Sequence, residues 1–114
     1  MITLFGINNC DTVKKTKKWL EEQGAEYNFH DYKKLGCSEE LAKQFLEQFE
    51  LKEVINTRGT TWRKLSDEDK STLNPKSAVV LMQTQPSIIK RPILDIDGQW
   101  VIGFDTELLS TLIE

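Results

Sequence analysis

The chain has 114 residues, 39% of them hydrophobic and 29% charged, with a formal net charge of −3. That length and balance suit one globular domain with a modest core, and the acidic sign argues against nucleic-acid binding, which calls for a basic surface. No apolar run approaches the ~18 residues of a membrane span, MITLFG lacks the regions of a signal peptide, and two cysteines 27 positions apart suggest no disulfide framework. The expectation is a cytoplasmic protein with reduced thiols, with neither a membrane nor a nucleic acid as direct partner. No metal site is expected, because one histidine and two scattered cysteines lack ligand spacing.

ITLFG (2–6) reads as a short buried strand closed by glycine. From about Asp11 to Gln23 the spacing predicts a helix. Val13, Thr16 and Leu20 share one face, the lysines lie largely elsewhere, and Gly24 fits the position just past the C-cap. YNFHD (27–31) alternates as a second strand. Strand, helix and strand together predict a parallel pair joined by a right-handed crossover.

The middle changes character. Ser38 is placed to cap a helix running to about Phe49, with Glu39 and Glu40 in its first turn and Leu41, Ala42, Phe45, Leu46 and Phe49 as its apolar stripe. NTRGTTWRKL (56–65) reads as a glycine-containing loop with two arginines. Ser66 and Asp69 fit a capping box for a short helix. Asn74-Pro75 fits the N-cap and first position of another helix, through about Thr84, which Pro86 should stop. ILDID (93–97) and QWVIG (99–103) then flank Asp97-Gly98, a hairpin turn signal. Asp105 can cap a last helix carrying Leu108, Leu109, Leu112 and Ile113. The order is β-α-β, three helical pieces, β-β-α. Without its middle this is the order of a thioredoxin-like fold. There are no repeats, linkers or low-complexity tracts.

Cys10 falls between the first strand and the first helix, at or near the N-cap. Unpaired backbone N–H groups and the positive end of the helix dipole favour thiolate over thiol there. Lys14, Lys15, Lys17 and Lys18 add screened positive charge. The same N–H groups can hold an oxyanion or a glutathione carboxylate. The alternative is a small buried cysteine acting as a hydrophobe; against it, Asn8, Asn9 and Asp11 make the loop polar. Asp11 opposes the thiolate if its carboxylate faces the sulfur, and otherwise simply serves the dipole. Cys10 is followed by Asp11, Thr12 and Val13, so a dithiol mechanism within this loop is excluded. Cys37 could resolve a mixed disulfide only with its Cα within about 7 Å of the Cys10 Cα. No pattern ties the two, and an incidental loop cysteine is expected. His30 lies within the second strand, where a structural role is expected rather than that of a general base.

Of the fifteen basic residues only Arg58, Arg63 and Arg91 are arginines. Arginine grips carboxylates and oxyanions with a planar, always-charged fork. Arg58 adjoins Gly59 in a polar loop, and Arg91 precedes Pro92, where a cis bond would need a tight turn. On these features alone a surface charge and an anion grip are equally open for Arg58 and Arg91, while Arg63 reads as a surface charge.

Cys10 after a short strand, Asn56-Thr57-Arg58-Gly59 in the middle and Lys90-Arg91-Pro92-Ile93 before the hairpin together resemble the arsenate reductase (ArsC)/Spx family, over essentially the whole chain. The opening LFGINNCDTVKKTKKWLEEQG is most similar to the YffB-type branch. The resemblance implies an α/β, thioredoxin-like fold with an inserted helical subdomain. That is one ArsC-like domain over 1–114, with its core at about 1–33 and 87–114 and the helical insertion at about 34–86. It implies Cys10 as nucleophile, Arg58 and Arg91 as anion-binding arginines, and Pro92 as a cis-proline facing the cysteine. With Asn9, Asp11 and Thr12 flanking the thiol, these form the expected substrate- and anion-binding set. The family implies no bound cofactor, glutathione as co-substrate, glutaredoxin as a further redox partner and a small-molecule or protein disulfide as substrate; a monomer is expected.

Arsenate reductases carry a third site arginine after the second hairpin strand. Here Val101-Ile102-Gly103-Phe104-Asp105 has none, and a site short of one cation polarises an oxyanion less well. The resemblance to the YffB-type branch implies instead a glutathione-dependent thiol/disulfide reductase, which fits a single nucleophilic cysteine with two arginines. Two alternatives stand beside it. One is an Spx-like regulator docking on RNA polymerase, although the Cys-x-x-Cys switch of Spx is missing. The other is a true glutathione/glutaredoxin-dependent arsenate reductase.

Overall fold

The computed structural model describes residues 1–113. In chain order the elements are β1 (Ile2–Gly6), α1 (Asp11–Glu22), β2 (Tyr27–Asp31), α2 (Tyr32–Leu35), α3 (Glu39–Gln48), α4 (Leu51–Val54), α5 (Thr60–Arg63), α6 (Asp67–Ser71), α7 (Pro75–Thr84), a 3-10 turn (Pro86–Ile88), β3 (Ile93–Ile96), β4 (Gln99–Ile102) and α8 (Thr106–Ile113). They fall into two compact units. One joins Met1–Leu35 to the segment from Arg91 onward, and the other is Gly36–Lys90.

The first unit is a four-stranded sheet in the order β2-β1-β3-β4. β1 pairs parallel with β2 and antiparallel with β3, and β3 pairs antiparallel with β4, so that Phe29, Leu4, Leu94 and Val101 stand in register across it. Strand side chains alternate between faces. Ile2 and Leu4, with Leu94, Ile96 and Val101, therefore build one apolar face, which packs with Val13 and Leu20 of α1 and Leu109 of α8. Burying each such aliphatic side chain contributes roughly 1.5–3 kcal/mol. Thr16 is buried in the same α1 face and its hydroxyl donates to the Thr12 carbonyl at 2.7 Å. Gly6 lets β1 approach α1 closely, since a Cβ there would lie 2.7 Å from Val13 Cγ2.

Local signals set the ends of these elements. α1 stops at Glu22, one residue short of the expected Gln23, and Gly24 follows at φ +71°. The β3–β4 turn places Asp97 at φ 51° and Gly98 at φ 89°, the paired left-handed residues that match the twist of a two-residue hairpin. Asp105 Oδ1 accepts the Leu108 N–H at 3.2 Å and starts α8.

The second unit is helical. Ser38 Oγ accepts the Leu41 N–H at 3.1 Å to start α3, whose Ala42 and Phe45 are buried. Leu41, Leu46 and Phe49 are half-buried. α7 begins with Asn74 and Ser77 bonded reciprocally and Pro75 in its first turn, and it packs against α3. Three helical pieces is an undercount, because α3 to α7 are five α-helices among the described residues. α4 is capped by a reciprocal Glu50–Glu53 pair. The expected loop 56–65 contains α5, a single turn closed by Arg63 N–H on the Gly59 carbonyl at 3.2 Å, with Thr61 and Ser87 hydroxyls 2.7 Å apart beside it. Pro86 does end α7, and it also opens the 3-10 turn. Among the described residues no helix is long and apolar enough to cross a membrane.

Candidate active site

Residues 7–10 belong to no strand or helix, and Cys10 is the N-cap of α1. Its backbone is extended (φ −144°, ψ 122°), and its carbonyl accepts the Lys14 N–H at 3.0 Å. An N-cap normally offers a side-chain oxygen to the N–H groups of the first turn. The Cys10 thiol makes no such bond, which leaves those donors to a thiolate.

Several opposed influences act on the half-buried sulfur. Burial is the largest single one, and it pushes the thiol up. The Val13 N–H, a hydrogen bond from the Arg91 side chain, the Arg91 charge and the Thr12 N–H all push it down, and together they prevail. Cys10 therefore ionises below the ordinary thiol range, the condition for a nucleophilic cysteine. Asp11 is exposed in the first turn, and its carboxylate is not among the groups that move the sulfur.

Cys10, Thr12 and Arg91 thus converge, with Thr12 acting through its main chain. Asn9 and Asp11 are exposed beside the sulfur. Arg91 is half-buried; the Arg91–Pro92 peptide is cis, and the Pro92 carbonyl accepts the Gly103 N–H at 2.8 Å. Arg58 belongs to the second unit and is exposed. Its N–H donates to Asn56 Oδ1 at 3.1 Å, while Asn56 N–H holds the Ile88 carbonyl at 2.8 Å. That double attachment pins the loop that carries Arg58.

The other titratable candidates are differently built. Cys37 is buried in the second unit with its thiol 3.7 Å from the Ser38 carbonyl, and burial pushes it up to about 11. The His30 ring contacts two others, with centroids 5.3 Å from that of Phe5 and 5.7 Å from that of Tyr32. Among the described residues no cluster of three or more His, Cys, Asp or Glu side chains could hold a metal ion.

Sequence reasoning missed two features. One is the Val13 N–H, which the third position after a cysteine N-cap would have indicated. The other is a polar chain of Lys17, Asn8 and Asp31. It joins residues up to 23 positions apart and has no local signature.

The sequence model of the ArsC family matches residues 5–112. The chain belongs to the ArsC family. A solved structure of a YFFB protein is 38% identical, with all of both chains covered and a TM-score of 0.95. An arsenate reductase (ArsC) related protein from Brucella melitensis is 42% identical, covering 99% of this chain and 94% of its own at a TM-score of 0.78. The global transcriptional regulator Spx of Staphylococcus epidermidis is 28% identical over 109 residues, 94% of this chain and 82% of its own. This ArsC-family chain has the family's thioredoxin-like fold, and its relatives include both arsenate reductase-related proteins and a regulator.

Proposed function

We propose that this ArsC-family protein is a glutathione-dependent thiol/disulfide reductase with Cys10 as its only reacting thiol. The observation that carries this reading is the single cysteine at an otherwise uncapped helix start, with Arg91 against its sulfur. The Cys10 thiolate attacks one sulfur of a substrate disulfide. The S–S bond breaks, its electron pair leaves with the other sulfur, which takes up a proton, and Cys10 carries a mixed disulfide. One glutathione thiolate attacks that mixed disulfide and a second completes the reduction, so two glutathione thiols supply the two electrons and leave as glutathione disulfide. A glutaredoxin dithiol can replace them as reductant.

In this reading the chain acts as one ArsC-like domain over 1–114, whose helical insertion, about 34–86, supplies Arg58. Arg58 and Arg91 orient the carboxylates of glutathione or substrate, the Thr12 N–H and the loop at Asn9 and Asp11 border the sulfur, and Pro92 faces it. The buried, hard-to-ionise Cys37 supports an external rather than an internal resolving thiol. The lack of an arginine in residues 101–105 supports a disulfide over arsenate.

The test is pH-dependent alkylation of Cys10 in a Cys37→Ser background, with mass spectrometry after exposure to glutathione disulfide. A midpoint below the free-thiol value of about 8.5 and one glutathione added on Cys10 are expected. A slow thiol that takes no glutathione sinks the reading. The Spx relative favours a second one, docking on RNA polymerase. That reading predicts polymerase capture that survives Cys10→Ser.

A further inference from the structure

Beyond the groups that touch the sulfur, a second set of contacts is directed at the same loop. Residues 7–10 lack regular structure, and within them Asn8 is tied at two points by its side chain. Its Oδ1 accepts from Lys17 Nζ at 2.6 Å, and its Nδ2 donates to Asp31 Oδ2 at 3.5 Å. Both anchors are themselves fixed. The Lys17 ammonium sits 3.6 Å from the Phe29 ring centroid. Asp31 is buried at the end of β2, and its other oxygen accepts the Lys33 N–H at 2.9 Å.

An amide suits this position because one end accepts from a cation while the other donates to a carboxylate. Aspartate would repel Asp31, and alanine would reach neither anchor. We infer that Asn8 is a positioning residue for Cys10: its amide clamps the β1–α1 loop between Lys17 and Asp31, and so holds the sulfur over the Thr12 and Val13 N–H groups. The inference rests on Cys10 being the nucleophile proposed above.

The experiment is the alkylation profile of Cys10, again with Cys37→Ser as background, across an exchange of donor and acceptor. Asn8→Ala is expected to raise the midpoint by about half a pH unit and to slow alkylation below it about threefold. Asn8→Asp should raise it at least as far, and Asp31→Asn alone should also raise it, because two amide donors then face each other. Combining Asn8→Asp with Asp31→Asn restores every contact. The carboxylate at position 8 accepts from Lys17 and from the amide at position 31, whose oxygen still accepts the Lys33 N–H. The double variant is therefore expected to return to the parent midpoint.

If the single variants leave the profile unmoved, or the double variant is no better than the worse single, the clamp is overturned. Lys17→Met, a change on the helix surface, serves if changes at Asp31 prevent folding. It should shift the midpoint in the same direction by less, and no shift overturns the clamp. A parent protein with an ordinary thiol midpoint would instead remove the nucleophile itself, which the control reads before any Asn8 variant is made.

Discussion

At the start of α1 the N-cap is Cys10 itself, and its thiol leaves the first-turn N–H groups uncapped. At the start of α3 the N-cap is Ser38, whose hydroxyl takes the Leu41 N–H, and Cys37 stands one residue earlier. Burial pushes both thiols up, but only Cys10 has donors and a cation to outweigh it. A displacement of one residue along the chain thus separates a sulfur that receives the helix N-terminus from one that is merely packed. Proximity to a helix start in sequence does not activate a cysteine; occupying the cap does.

The sharpest way to break this contrast is to give α1 the cap that α3 already has. Cys10→Ser should abolish the glutathione adduct and all turnover, yet stabilise the fold by roughly 0.5–1 kcal/mol through the new hydroxyl cap, seen as a higher urea midpoint. Unchanged stability would mean that the N–H groups were already well satisfied. The next effect concerns Cys37. Burial pushes its thiol up to about 11 in the native state, above the unfolded value of about 8.5, so the unfolded chain loses its proton first as pH rises. Stability should therefore fall from about pH 8.5 upward, by roughly 1–2 kcal/mol by pH 11. The difference between parent and Cys37→Ala in urea unfolding at neutral and high pH isolates that loss, and equal slopes would refute it.

Gly6→Ala should cost about 1–3 kcal/mol by overpacking against Val13. Val13→Ala in the same chain should recover part of that cost; simple additivity of the two would show that they do not meet. Ser38→Ala should cost about 1 kcal/mol of stability and leave Cys10 alkylation unaltered. A change in Cys10 reactivity would mean that the two helix starts are not independent.

Much of the frame was legible because its signals are local. Alternation and glycine marked β1 and β2, Asn74-Pro75 marked α7, and Asp97-Gly98 marked the hairpin, each within a few residues of its effect. α5 was hidden because it is a single turn whose first two residues are threonines, which are weak helix formers, and its hydroxyl contact between Thr61 and Ser87 spans 26 residues. α4 was missed because glutamate is a poor N-cap by preference, although the Glu50–Glu53 pair performs the task. The candidate site divides the same way. Cys10 could be read from its place between strand and helix, and Arg91 only with the family pattern, whereas the attachment of Asn8 to Asp31 depends on how β1, α1 and β2 come together.

The sheet order has a consequence for biosynthesis. β1 is central, yet its antiparallel neighbour β3 begins at Ile93. A ribosome must therefore deliver all of Gly36–Lys90 before that pairing can close. Such long-range pairing is the slow kind, and Arg91 comes beside Cys10 on the segment that completes it. The contact between Arg91 and the Cys10 sulfur therefore forms only once this last segment is in place, at the end of folding.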